Sequence, residues 1–169
     1  LAAAPAAASV QPARTTFVTG NDRRAHEIAA SLVLVTFDMP FSVAGITERN
    51  YHGTGIIVDD ERGLVVVDRN TVPVAAGDVR RTFGGSIEVP GKVDYVPPLH
   101  TLAGVSFDPK ALDGTPSRAV KFDTRELEPG EAVTVIGLGG DSRLRSLATY
   151  VATMDDVNFP LSRTLQFRD

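Results

Sequence analysis

The 169-residue sequence contains no cysteine. That absence excludes a disulfide framework, Cys-bearing zinc sites, iron–sulfur clusters and a thiol nucleophile, and with them redox chemistry carried by the chain itself; it leaves the compartment open. No apolar run approaches the roughly 20 residues needed to cross a bilayer, so no membrane span is expected. A basic surplus is missing too: 17 Lys and Arg stand against 21 Asp and Glu, a net charge of -4. With no long basic run to neutralise a string of phosphates, nucleic acid is not an expected partner. Nothing repeats at a fixed period, which removes solenoids and propellers. What is present is 43% hydrophobic and 22% charged residues, an ordinary globular composition able to bury a core in one compact domain or two small lobes.

The sequence opens on LAAAPAAASVQPA at 1–13. Pro5, Pro12 and the lack of an amphipathic stripe argue against an alanine helix, so residues 1–20 read as a linker or tail. Asn21 and Asp22 are cap-type residues ahead of good helix formers at 23–30, which predicts a helix of two turns. From Ser31 the pattern changes to short β-branched runs split by Gly, Pro, Asn and Asp. The runs are SLVLVTF (31–37), GTGIIVD (53–59), GLVVVD (63–68), VRRTF (79–83), SIEV (86–89), LAGVSF (102–107), RAVKF (118–122), AVTVIG (132–137), SLATYVATM (146–154) and TLQF (164–167). About ten strands at such spacing predict an antiparallel sandwich or barrel. The acidic turn at 59–63 and the Gly84-Gly85 turn read as hairpin loops. The polar, Pro-bearing stretch at 108–117 is the expected boundary between two lobes.

Two apparent motifs carry no chemistry. His26-Glu27 begins like a helical His-Glu-x-x-His zinc site, but position 30 is Ala30, so no metal is expected there and His26 belongs to a solvated helix face. The glycines at 137, 139 and 140 follow a strand without the P-loop pattern or a following helix, and read as a turn. No cofactor is expected.

The informative stretch is YHGTGIIVDDERGLVVVDRNTV at 51–72, taken with LHTLAGVSFDP at 99–109. Gly-Thr-Gly, an apolar strand, an acidic turn closed by Gly, a second apolar strand and an Asn-bearing corner resemble the first barrel of the HtrA (Deg) serine proteases, a trypsin-like family. In that family the corner carries the catalytic His in an Asn-His-Val-Val type sequence; here it reads Arg69-Asn70-Thr71-Val72, and Asn70 stands at the His position. The family's catalytic Asp begins an Asp-Leu-Ala-Leu-Leu type strand about thirty residues later. Thr101 takes its place here. LEPGEAVTVIG at 127–137 is similar to the family's entry into the second barrel, 147–154 to the next strand, and TLQF at 164–167 to the strand before the Gly-Asn-Ser-Gly-Gly nucleophile loop, which the sequence does not contain. The resemblance covers residues 28–169. Within it, GLVVVDRNTV at 63–72 and IEVPGKV at 87–93 look closest to the degenerate second protease-like unit of the family's long, duplicated members. It implies a multi-domain parent, in which another unit hydrolyses and PDZ domains recognise peptide termini, and favours a periplasmic or otherwise extracytoplasmic setting.

A serine nucleophile needs a base that takes its proton near neutral pH and a carboxylate that stabilises the resulting imidazolium. An Asn70 amide is not basic, and a Thr101 hydroxyl carries no charge. His52 and His100 are the imidazoles left as substitutes, each read as a partly buried ring bonded to backbone. Asp68 and Arg69, flanking Asn70, read as a local ion pair or as a cap on the turn. The expected fold is therefore all-β, a trypsin-like double β-barrel, with a short helix and complete first barrel in 21–112 and an incomplete second barrel in 113–169. The expected function is a degenerate protease domain acting as a structural, assembly or polypeptide-binding scaffold, with no catalytic residues of its own. Its partners would be polypeptide segments, the parent's other domains or a second copy, association burying alternate apolar positions of 146–154 with Val151 on the inner face. Two other readings remain open: an active serine endopeptidase completed by other segments, and an unrelated β-barrel binding module.

Overall fold

The computed structural model describes residues 17, 22–41, 49–98, 100–156 and 163–167, with backbone only for 154–156 and 163–167. Asp22 caps α1 (Arg23–Ile28), its carboxylate accepting from the N–H groups of Arg24 at 2.9 Å and Ala25 at 3.4 Å. A single 3-10 turn, Ala29–Ser31, hands the chain to the first strand. The linker assigned to 1–20 lies outside the described residues except for Phe17, which is buried in a cluster with Ala25, Ala29 and Leu32.

Six strands close into an antiparallel barrel: β1 (Leu32–Asp38), β2 (Asn50–Asp59), β3 (Leu64–Asp68), β4 (Asp78–Phe83), β5 (Ile87–Tyr95) and β6 (Leu102–Phe107), in the order β1-β2-β3-β6-β5-β4. Antiparallel pairing of β1 with β4, Leu34 opposite Thr82 and Val35 opposite Arg81, completes the ring. Alternation sends Val65 and Val67, Val79 and Phe83, Ala103, Val105 and Phe107 into one interior. β1 is buried on both faces, and so reads as a continuous apolar run. Val33, Val35 and Phe37 fill the barrel, whereas Leu32 and Leu34 pack outward with Leu138 and Leu144. At the acidic turn the Asp59 carboxylate accepts from Arg62 N–H at 2.9 Å, and Gly63 takes φ 66 with Phe107 O where a Cβ would lie.

The second lobe is a three-stranded antiparallel sheet, β7 (Ala132–Leu138), β8 (Leu144–Asp156) and β9 (Arg163–Phe167). Leu138 N–H donates to Thr54 Oγ1 on β2 at 2.7 Å, tying the lobes together.

Two strand expectations need correction. RAVKF at 118–122 is an extended connector and joins no sheet. Its backbone makes isolated bonds, Arg118 N–H to Ala30 O and Val120 N–H to Ile57 O, both 2.9 Å; β2 already has a strand on each side, so no ladder is open to it. β5 runs past the expected end at 89 through Pro90 to Tyr95, because Pro90 lies opposite Arg80 and the ladder resumes at Gly91.

Farther along the connector, the Arg125 guanidinium donates to both Glu131 carboxylate oxygens, one of them at 2.9 Å. That bond, with the Glu128 N–H behind it, holds the Glu131 carboxyl down at about 2. A depressed folded value contributes stability above the unfolded value near 4.5 and loses it as pH falls through about 2. The Glu131 carbon resonance is expected to titrate near pH 2 and to move up toward the ordinary carboxylate range in Arg125→Gln; an unmoved titration there would break the assignment.

Candidate functional site

The corner that follows β3 is built by its own polar groups. The Asp68 carboxylate accepts from Asn70 N–H at 2.7 Å and the Asp68 carbonyl from Thr71 N–H at 3.0 Å. Thr71 and Val72 then turn inward and are buried, whereas Asn70 stays exposed. Asp68 pairs with Leu102 across β3 and β6, and Arg69 N–H donates to Thr101 O at 2.7 Å. Asn70 and Thr101, distant in sequence, therefore meet at one end of the barrel, both open to solvent.

The glycines of Gly-Thr-Gly make this corner possible. A Cβ at Gly53 would lie 2.1 Å from Thr71 Oγ1, and one at Gly55 within 3 Å of Val65, Val35 and Val33. Gly53 thus admits the corner and Gly55 the barrel interior, while Thr54 between them reaches the second lobe. Asp68 acts as the turn cap. The ion-pair reading of Asp68 with Arg69 is not what the structure shows: Arg69 Nη1 donates to the carbonyls of Pro97 at 2.7 Å and Pro98 at 2.9 Å. Two consecutive prolines cannot extend a ladder and leave carbonyls that need donors. That dipeptide was the available sequence signal for the role of Arg69.

The imidazoles sit differently from expectation. His52 and His100 are exposed rather than partly buried. His52, on β2 opposite Thr36 of β1, faces the β7–β8 turn, where a Cβ on Gly140 would come 2.8 Å from its Nε2. His100 lies in the exposed loop leading to β6, before the strand can bury it. His26 is exposed on α1. The turn at 139–143 is satisfied internally: the Asp141 carboxylate accepts from Arg143 N–H at 3.1 Å and Arg145 Nη2 at 3.2 Å, which holds its pKa below the ordinary value. The Arg143 N–H and the Arg145 guanidinium are thus engaged by that carboxylate. Among the described residues no three His, Asp or Glu side chains converge as metal donors would.

No family model matches the chain. A PDZ domain-containing protein of Schizosaccharomyces pombe is 32% identical over 136 residues, 80% of this chain and 14% of that protein. The pro-apoptotic serine protease NMA111 of Pyricularia oryzae is 35% identical over 134 residues, 79% of this chain and 13% of that protein. The chain thus spans about a seventh of the length of these relatives. Among solved structures, Deg5 superposes with a TM-score of 0.64 at 15% identity, over 85% of this chain and 70% of that one. The active form of the Rv3671c protease from M. tuberculosis gives 0.64 at 15% identity, over 87% and 61%.

Proposed function

Because this chain belongs to the HtrA/Deg-type, trypsin-like serine protease family, we propose that it is a catalytically degenerate protease domain serving as a structural, assembly or polypeptide-binding scaffold within a larger protease. The observation that carries this reading is the corner itself. The Arg69–Thr101 bond holds the Asn70 and Thr101 segments together, and these positions, which we read as those of the family's base and orienting acid, carry an amide and a hydroxyl. Neither can take the proton of a serine or offset an imidazolium. The small share of its relatives that the chain covers leaves ample length for a separate hydrolytic unit and for the PDZ domain that one relative's name records. In this reading the chain corresponds to the degenerate second unit of the duplicated members.

A second reading, an active endopeptidase completed by other segments, is favoured by the name "serine protease" on the relatives. Labelling of the whole parent protein with a fluorophosphonate probe separates the two: in the first reading the mapped label lies on another unit, in the second on the unit that this chain helps to build. The chain is expected to take up no probe and to leave casein intact, and Asn70→His with Thr101→Asp is expected to restore neither, since base and acid without a nucleophile do not assemble a triad. Stoichiometric labelling of the unmodified chain would overturn the proposal.

A further inference from the structure

A cavity of about 540 Å3 opens between α1, the connector at 118–121 and β7. Ile28, Val120 and Ile136 form its apolar lining, and Arg24, Arg118 and Lys121 supply cations around it. It lies toward the Leu32–Ile56 end of the β1–β2 pair, away from the Thr36–His52 end.

Two of these cations are held in place by neutral groups. Arg24 Nη1 donates to Thr134 Oγ1 at 2.9 Å, and Arg118 Nη2 to Glu27 O at 2.6 Å. Two carboxylates offset part of this charge and have other duties: Glu27, itself part of the cavity lining, pairs with Arg23 at 2.9 Å, and Asp22, within the field of Arg24, caps the helix and bonds Ser146. Among the described residues none of the three cations enters a salt bridge. A local positive surplus on a chain of net charge -4 runs against the overall sign, so it concentrates attraction for an anion at this one place. Beside Lys121, the Phe122 ring is 68% exposed, adding apolar surface at the same connector.

We propose that this cavity docks an acidic polypeptide segment, its carboxylates on Arg24, Arg118 and Lys121 and an aliphatic side chain against Ile28, Val120 and Ile136. Charge complementarity calls for an anion, since guanidinium and ammonium donors form their strongest hydrogen bonds with carboxylates and phosphates, and the apolar lining calls for aliphatic side chains, which a polypeptide supplies and a nucleic acid does not. The volume falls within the range of about 300–1,000 Å3 usual for ligand clefts. The site takes its class of partner from the polypeptide-binding part of the function proposed above, but it uses none of the residues at the Asn70 corner.

The test is fluorescence anisotropy of the 169-residue chain with a fluorescein-labelled Glu-Leu-Asp-Val-Glu peptide, its amide analogue Gln-Leu-Asn-Val-Gln, and oligothymidylate as competitor. The acidic peptide is expected to bind, with affinity falling about ten-fold or more in Lys121→Glu and in Arg24→Glu. Lys121 is exposed and enters no salt bridge among the described residues, so its variant reports binding even if the Arg24 variant loses stability. Lys92→Glu, on β5 outside the cavity, is expected to leave binding unchanged. Equal binding of the amide analogue, indifference to both charge reversals, absence of binding, or equally effective displacement by oligothymidylate would each overturn the proposal. Any of these would leave the absence of probe labelling standing, so failure here is distinguishable from failure of the degenerate-protease reading.

Discussion

Gly91→Ala is expected to destabilise the first barrel by about 3 kcal/mol, at the upper end of what one added methyl usually does. Gly91 lies opposite Val79 and Phe107, and the side chain it lacks is replaced by that of Arg81. A Cβ there would fall 1.3 Å from Arg81 Nη1 and 1.9 Å from its Cζ. The guanidinium has nowhere to retreat: Arg81 is fully buried, 5.9 Å from the centre of the Phe107 ring, and Phe107 packs edge-on to Phe83. Burial pushes the Arg81 pKa down to about 10, against the field of Asp94, so at neutral pH the interior still holds a cation. Nη2 reaches Lys92 O at 3.4 Å, while Nε and Nη1 have no partner among the described residues. Replacing such a cation by an aliphatic side chain is commonly neutral or stabilising. Arg81→Leu is therefore expected to keep or raise the midpoint, and Arg81→Leu with Gly91→Ala to recover most of the loss. The single Gly91→Ala change would lower Tm by roughly 6–12 °C in a chain of this size. An unchanged midpoint in a thermal melt would remove Arg81 from the barrel interior.

Val151→Asp is expected to cost about 4 kcal/mol and to melt the second lobe while leaving the barrel closed. Val151 is 1% exposed, its N–H donates to Glu131 O at 2.9 Å and its carbonyl accepts from Gly130 N–H at 2.7 Å. A carboxylate there would be buried in a segment that already uses its backbone groups. Leu147 has the same parity along β8 yet is 59% exposed, and Leu147→Asp is expected to stay within about 0.5 kcal/mol of the parent. Hydrogen exchange read by mass spectrometry would show protection lost over 132–151 and kept over 32–107 for the first variant, and unchanged protection for the second. Equal loss in both would mean that β8 alternates strictly after all.

That contrast shows where the sequence was legible. Alternation assumes one strand and one partner, but β8 passes from β7, paired through Tyr150, to β9, paired from Val151, with a register shift between Val151 and Thr153. The sequence pattern therefore found the strand and the buried Val151 but not the change of surroundings. Most of the barrel was readable because β-branched runs bounded by Gly and Asp carry their own period, and the Asp22 cap marked the helix start. Arg81 was not readable. In VRRTF it looks like one of two solvated arginines, and only pairing with a strand that offers Gly91 makes room for it inside. Asn70 and Thr101 were linked by motif order alone, and the Arg69 N–H to Thr101 O bond that holds the two segments together depends on a β3–β6 pairing no local window contains. RAVKF at 118–122 has strand composition, and the lack of an unpaired neighbour decided against it.

The ring of β1 through β6 also limits how this chain can join another by extending a sheet. Every strand in it has neighbours on both sides, so its rim offers no row of free amide and carbonyl groups to a newcomer. In the second lobe, β7 and β9 each have a partner on one side only among the described residues. Among the described residues, strand-to-strand association is therefore confined to the second lobe, where β8 too pairs with β7 only through Tyr150 and with β9 only from Val151: a partner that adds there leaves the first lobe intact, whereas one that adds to the first lobe must first break its closure.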